Sequence, residues 1–441
     1  MTHQKCVGTG NGATRRDFLK RSAVLASAAV TSAGSMPRNA YAAGSDILRV
    51  GMIGCGSRCT GAAMNALTAD PGAHLVAMCD IVEERVVSTR DRLKQQFGER
   101  VVVDDDHRFT GLHGYKHVIE SSDVVLIANA AKFHPLHTMT ALQAGKHVFV
   151  EKPHAIDPLG IKLLHEAVAY AQAHDLCLVS GLQSRYHAGY IETIQRIHDG
   201  AIGDIISIEE NFLRAPYVVR QREPWMSELE WQCSSQYHFR WLSGDDVTQS
   251  LVHNLDRANW ALHDTPPVKC HGIGGRSSMT DHIYGDVFDH HSVVYEYENG
   301  ARIYAFCRTI DNCYNDYSSM VFGSKGKASV MGSQIWGENE WKWEGQCDPF
   351  QVEHNALFKG IRSGEPVNNG AYMARSTMMG IMGQISCYTG EEITWERINQ
   401  SEFSLGPRPE DCHDDMEPPV LPDEEGVYPV PRPGFTRLLE V

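Results

Sequence analysis

An apolar strand runs directly into two closely spaced glycines. Ile47-Leu48-Arg49-Val50-Gly51-Met52-Ile53 is followed by Gly54-Cys55-Gly56-Ser57-Arg58-Cys59, a turn that opens a helix. His74 to Cys79 then reads as a second strand ending in Asp80, 24 residues after Gly56. Strand, glycine turn, helix and acid-tipped strand make a βαβ unit. Glycines let the backbone approach a pyrophosphate at the helix N-terminus, and the acid can bond a ribose 2′-hydroxyl. The same carboxylate would repel a 2′-phosphate, so NAD is expected over NADP. Cys59 stands at the third glycine position of G-x-G-x-x-G, and it is small enough to keep helix and strand close.

Val124 to Asn129 predicts a third buried parallel strand, followed by a helix from about His134 to Gly145. His147 to Val150 predicts a fourth strand, which ends in Glu151-Lys152-Pro153. Ligands of open α/β sheets bind beyond the carboxyl ends of the strands, so Glu151 and Lys152 are placed for chemistry. The second half has a different rhythm. Asp204 to Leu213 alternates as a strand, and His291–Tyr297 and Ala301–Arg308 flank an Asn299-Gly300 hairpin turn. Ser318–Phe322, Ala328–Met331 and Glu340–Trp343 add strand signals, while Tyr372–Tyr388 predicts a packed helix.

The chain begins with a different kind of segment. Thr14-Arg15-Arg16-Asp17-Phe18-Leu19-Lys20-Arg21 precedes an Ala/Ser/Val stretch and Ala40-Tyr41-Ala42. This looks like a twin-arginine (Tat) export signal cleaved near Ala42, which predicts a periplasmic or otherwise exported protein. The formal net charge of −15 argues against sequence-independent nucleic-acid binding. No apolar run is long enough for a membrane span. The 12 cysteines include no C-x-x-C pair and read mostly as buried apolar residues. With 22 histidines but no H-E-x-x-H, no metal site is expected.

The glycine turn, Asp80, the run from Ala144 to Pro153 (A-G-K-H-V-F-V-E-K-P) and His253-Asn254-Leu255-Asp256 with Trp260 together resemble the glucose–fructose oxidoreductase/inositol dehydrogenase (Gfo/Idh/MocA) family. The likeness continues through Gly272–Arg276 and Phe322–Gly326 to Tyr388-Thr389-Gly390, and is greatest to exported members with Tat signals. It implies an α/β protein with an N-terminal Rossmann NAD(P)-binding domain. A C-terminal α+β domain with a large, open, mainly antiparallel sheet would mediate a homo-oligomer, dimer or tetramer. The expected divisions are the signal at 1–42, the dinucleotide domain at 43–175, the substrate domain at 176–405, and a Pro-rich arm at 406–441. The arm is expected to wrap the protein or a neighbouring subunit.

The resemblance also implies roles. Lys152 is the first catalytic candidate, a base whose pKa falls near bound NAD, with His253 and Tyr186 as further acid/base candidates. Gly54, Gly56, Ser57, Arg58, Asp80, Asn129, His134, Glu151, Lys152 and Gln183 are the cofactor-binding set. Arg185, His187, Arg214, Trp241, Gln249 and His253 are the substrate-binding set, with Trp225, Tyr237 and Asp289 as lesser sugar-pocket candidates. Gln249 stands where the family often has an aspartate paired with the histidine, so Asp256, one helical turn on, is the expected support for His253. The expected function is an exported oxidoreductase with tightly bound NAD, acting on a secondary hydroxyl, such as C3, of a sugar or glycoside. An NAD-dependent glycoside hydrolase resembling N-acetylgalactosaminidases and a non-catalytic NAD- or sugar-binding module are the alternatives.

Overall fold

The computed structural model describes residues 46–439 apart from 218 and 220. The expected export signal and its cleavage site lie outside the described residues.

Short β-branched runs build the first layer. β1 (Leu48–Ile53), β2 (Ala73–Asp80), β3 (Arg108–Thr110), β4 (Val124–Ile127), β5 (His147–Val150) and β6 (Leu178–Ser180) form a six-stranded sheet in the order β3-β2-β1-β4-β5-β6. All its pairings are parallel. Helices cover both faces: α1 (Ser57–Ala69), α2 (Glu83–Phe97), α3 (Gly114–Ser121), α4 (His134–Gln143) and α5 (Pro158–Ala173). Every residue of β4 and β5 is buried, as a strand between two helical layers requires. The strand order reverses between β1 and β4, which opens a crevice at their carboxyl ends. Cys59 keeps helix and strand close as expected, its Sγ 3.7 Å from the Ile53 carbonyl oxygen. The sheet runs on through β6, past the boundary expected at residue 175.

The second layer begins with α6 (Ala188–His198) and β7 (Ile205–Arg214). Then come α7 (Glu228–Ser234), α8 (Arg240–Ser243), α9 (Asp245–Gln249) and α10 (Val252–Ala261). The strands β8 (Lys269–Gly275), β9 (His290–Glu296), β10 (Arg302–Thr309), β11 (Asp316–Gly323), β12 (Gly326–Ser329), β13 (Gln334–Gly337), β14 (Trp341–Lys342) and β15 (Ile393–Thr394) complete a nine-stranded sheet. Its order is β14-β13-β12-β11-β7-β10-β9-β8-β15, antiparallel except for β7 beside β10. One face buries Ile208, Val293, Tyr295, Ile303 and Ala305 beneath helices, and the other exposes Ile273 and Tyr304. One apolar core runs through both sheets, from Ile53 and Val148 to Val293 and Ile303.

α11 (Pro349–Ser363), α12 (Gly370–Thr389) and α13 (Trp395–Gln400) close the fold. α12 is buried almost throughout, as its apolar composition predicts. α11 returns to the first layer, where Leu357, Phe358 and Ile361 share a core with Val50, Ala62 and Ala66. Gln351 exchanges hydrogen bonds with Asn65, and Arg362 pairs with Asp70 at 2.7 Å. A single cut between substrate and dinucleotide domains therefore misassigns α11. The Pro-rich arm wraps its own chain. Cys412 and Tyr428 pack with Trp231 and Phe239, and Asp414 accepts the Leu112 N–H at 2.6 Å.

Candidate active site

The crevice beyond β1, β2 and β4 is lined by Gly54, Gly56, Asp80, Arg85 and Asn129 among others. Gly54 sits at φ +92°, and a side chain there would meet the Asn129 backbone nitrogen at 2.9 Å, so only glycine fits. Gly56 precedes α1 without a side-chain cap and opens onto free space, which leaves first-turn N–H groups available. Asp80 tethers the turn by accepting Cys55 N–H at 2.7 Å and Val82 N–H at 3.0 Å. Asn129 Oδ1 and Gln183 Oε1 are buried without a hydrogen-bond partner among the described residues. An uncapped helix start, an acid at the end of β2 and two unpaired amide oxygens fit a dinucleotide.

β5, which ends at Glu151 and Lys152, lies beside β4, whose following residues Ala128 and Asn129 line this crevice. Glu151 is 4% exposed and accepts Arg58 Nε at 2.5 Å; Arg58 also lies 3.7 Å from Glu353. Lys152 Nζ donates to the Gln249 carbonyl at 2.8 Å. Burial, aided by Arg214 and Arg58, outweighs the opposing charges of Glu151 and Asp246 and lowers the Lys152 pKa to about 8. His253, in the first turn of α10, keeps a buried Nδ1 without a hydrogen-bond partner among the described residues. Burial and the Lys152, Arg257 and Arg58 charges hold its pKa well below the usual value, so it is neutral. Asp246 accepts the Ser250 hydroxyl at 2.7 Å, and that hydroxyl also meets Tyr217 Oη at 2.7 Å. Burial and neighbouring Asp245 raise the Asp246 pKa. The Arg214 guanidinium lies 3.3 Å above the Tyr217 ring.

Lys152, His253 and Arg214 are thus brought together, with Gln249 contributing its backbone carbonyl. Several other expectations are corrected. Asp256 does not support His253; it accepts two bonds from Arg185, at 3.0 and 2.8 Å, and one from Ser376. Arg185 also pairs with Asp264 and lies between the Trp260 and Tyr372 rings, so its guanidinium is spent on the fold rather than on a substrate. Trp241 is a core residue, 3% exposed, whose indole N–H goes to Gln232. His187 caps α6 by accepting Tyr190 N–H and stacks on that ring. Tyr186 donates to Asn369, and burial raises its pKa to about 12, against an acid/base role near neutrality. His134 braces the site from behind, its ring nitrogens meeting the Pro153 and Asn129 carbonyls. Asp289 ties down Ser277, Ser278 and Met279 N–H groups, and Trp225 is exposed.

Sequence reasoning missed Asp246, Ser250 and Arg257. Their signal was a polar stripe at helical spacing, residues 246, 250, 253 and 257, running through α9 and α10.

Fold and cleft together define a two-domain dinucleotide-binding protein. Residues 48–181 match the family model GFO_IDH_MocA, described as an oxidoreductase family with an NAD-binding Rossmann fold. The chain is 27% identical over 230 residues to an inositol 2-dehydrogenase of Acidothermus cellulolyticus, covering 52% of this chain and 57% of that one. It is also 27% identical over 171 residues to glycosyl hydrolase family 109 protein 1 of Bacteroides fragilis, covering 38% and 35%. The match thus spans little more than half of the first relative and about a third of the second. The solved aldose–aldose oxidoreductase of Caulobacter crescentus shares the fold, with TM-score 0.61 at 19% identity over 79% of this chain and 99% of that one. Residues 48–181 thus carry the NAD-binding Rossmann domain of the Gfo/Idh/MocA oxidoreductases, and inositol dehydrogenases are among the proteins the chain is similar to.

Proposed function

We propose that this protein is an exported NAD-dependent oxidoreductase that moves a hydride between tightly held nicotinamide and a secondary hydroxyl of a sugar or glycoside. The observation that carries the reading is a half-buried lysine of lowered pKa at the end of β5, within charge reach of a neutral histidine and one strand from the dinucleotide crevice. Gly54, Gly56 and the start of α1 would hold the pyrophosphate, Asp80 a ribose, and Asn129 and Gln183 further polar groups. When bound, NAD supplies the hydride acceptor. Lys152 in its neutral form takes the hydroxyl proton, and the Gln249 carbonyl aims its nitrogen. His253 Nδ1 orients a neighbouring hydroxyl.

The test starts from protein purified without added nucleotide, denatured, and its released dinucleotide identified by mass spectrometry. Stoichiometric NAD(H) is expected, and sugars should then change the nicotinamide absorbance of the native protein. An empty site that takes up no NAD refutes the proposal. The Bacteroides relative favours a second reading, redox-neutral cleavage of a glycoside. Release of nitrophenol from nitrophenyl N-acetylgalactosaminide without an added acceptor would select it.

Export rests on the Arg15-Arg16 signal, and replacing both by lysine should retain the protein in the cytoplasm. A homo-oligomer through the open face around Ile273 and Tyr304 is tested by light scattering.

A further inference from the structure

Arg257 lies one helical turn beyond His253 on α10 and is 1% exposed. Its Nη1 donates to Ser184 Oγ at 3.2 Å and its guanidinium carbon lies 5.4 Å from the Tyr317 ring centroid, but among the described residues Nε and Nη2 meet no hydrogen-bond acceptor. Among the described residues, no carboxylate approaches it within salt-bridge distance. The neighbouring acid, Glu210, is committed to Ser319 at 2.6 Å and Asn254 at 2.8 Å. Burial raises the Glu210 pKa to about 8, so it is mostly protonated at neutral pH and supplies little counter-charge. A buried guanidinium without an anion is costly, and a fold that keeps one invites a ligand to complete it.

The unfilled edge is specific. Nε and Nη2 form the side of the guanidinium that receives a carboxylate through two parallel bonds. Elsewhere in this molecule the same edge takes Asp123 on Arg49, Asp256 on Arg185 and Asp70 on Arg362. Arg214 leaves the same two nitrogens unpartnered while its ring partner Tyr217 holds it flat. The Arg214 charge bears on Lys152 and the Arg257 charge on His253, so each member of the pair has one unfilled fork in its electrostatic surroundings.

We infer that the substrate is an acidic sugar, whose carboxylate docks on the open Nε/Nη2 edge of Arg257 while its carbinol faces Lys152. This rests on the reading of Lys152 and His253 as the hydride-transfer site. Arg257 fixes which hydroxyl is presented, and Arg214 adds positive potential on the strand side.

Calorimetric titration of the nucleotide-loaded protein compares D-glucuronate with D-glucose, D-galacturonate with D-galactose, and all four with glucose 6-phosphate. At least one hexuronate should bind about tenfold or more tightly than its neutral partner, the scale of a charge-assisted pair of hydrogen bonds. Arg257→Gln should erase most of that ratio, and Arg257→Lys should restore only part, because it returns charge without the fork. Neutral sugars bound as tightly as both acids, a phosphate preferred over both, or a ratio that survives in a folded Arg257→Gln protein would each overturn the assignment. If that variant does not fold, the wild-type ratio decides. An Arg257-dependent preference without any change in nicotinamide absorbance supports the acidic-sugar site and removes the hydride-transfer reading instead.

Discussion

Titrating the reaction through pH 8 tests the chemistry assigned to Lys152. With its pKa lowered from 10.5 to about 8, ~10% of this lysine is unprotonated at pH 7, against roughly 0.03% for an ordinary one. That is about a 300-fold gain in available base, and the shift corresponds to about 3 kcal/mol of desolvation not repaid by nearby charge. For oxidation of a sugar by the NAD-loaded protein, kcat/KM should rise about tenfold per pH unit below the inflection and level off above pH 8. Glu151 favours the charged lysine, so Glu151→Gln should move the inflection to lower pH. Lys152→Met should leave no inflection and little activity. The same shift acts on stability. Below pH 8 folded and unfolded chains both hold the proton, and the fold bears the burial cost. That cost is relieved as pH climbs from about 8 to 10.5, so this group makes the fold firmer at alkaline pH, by up to about 3 kcal/mol. A flat rate profile between pH 6 and 10, or an inflection near 10.5, would refute the reasoning.

Other outcomes follow from the same structure. Asp256→Asn should destabilise by about 3–5 kcal/mol, because it strips the buried partner from Arg185, and thermal melting reads it. Trp241→Ala should cost about 3–5 kcal/mol through a cavity in the cluster around Phe239 and Tyr428. Asp80→Ser should weaken NAD binding and narrow the preference over NADP, measured as the ratio of the two Kd values. Ending the chain at residue 405 should expose Trp231 and Phe239, raising binding of a hydrophobic dye and lowering Tm.

What could be read from the sequence divides along physical lines. The glycine turn, Asp80 and the strand ending at Lys152 are local patterns, and the folded backbone sets them where local rules demand. Lys152 needed only its position at a strand's carboxyl end. Gln249 and Arg214 were expected against a substrate, and only the tertiary structure shows that the Gln249 carbonyl and the Arg214 charge bear on Lys152 instead. Arg185 and Trp241 have the chemistry of sugar binders, and only tertiary contacts reveal that Asp256 and Gln232 already occupy them. Helical spacing puts Asp256 within one turn of His253. Its carboxylate turns to Arg185, where a desolvated fork offers two bonds. The stripe 246-250-253-257 was legible in principle, but the break between α9 and α10 disguised its period.

The return of α11 to the first layer has a consequence for how the chain acquires its shape. The surface of α1 that Leu357 and Phe358 cover is complete only after about 360 residues have been synthesised. An emerging ribosomal product must therefore hold its nucleotide-binding half open until most of the second sheet has been made. Such distant closure raises contact order and slows folding, and it leaves apolar surface for chaperones to guard. A fragment ending at Ser180 should reach the solvent with that helix face bare, and should aggregate where the whole chain folds.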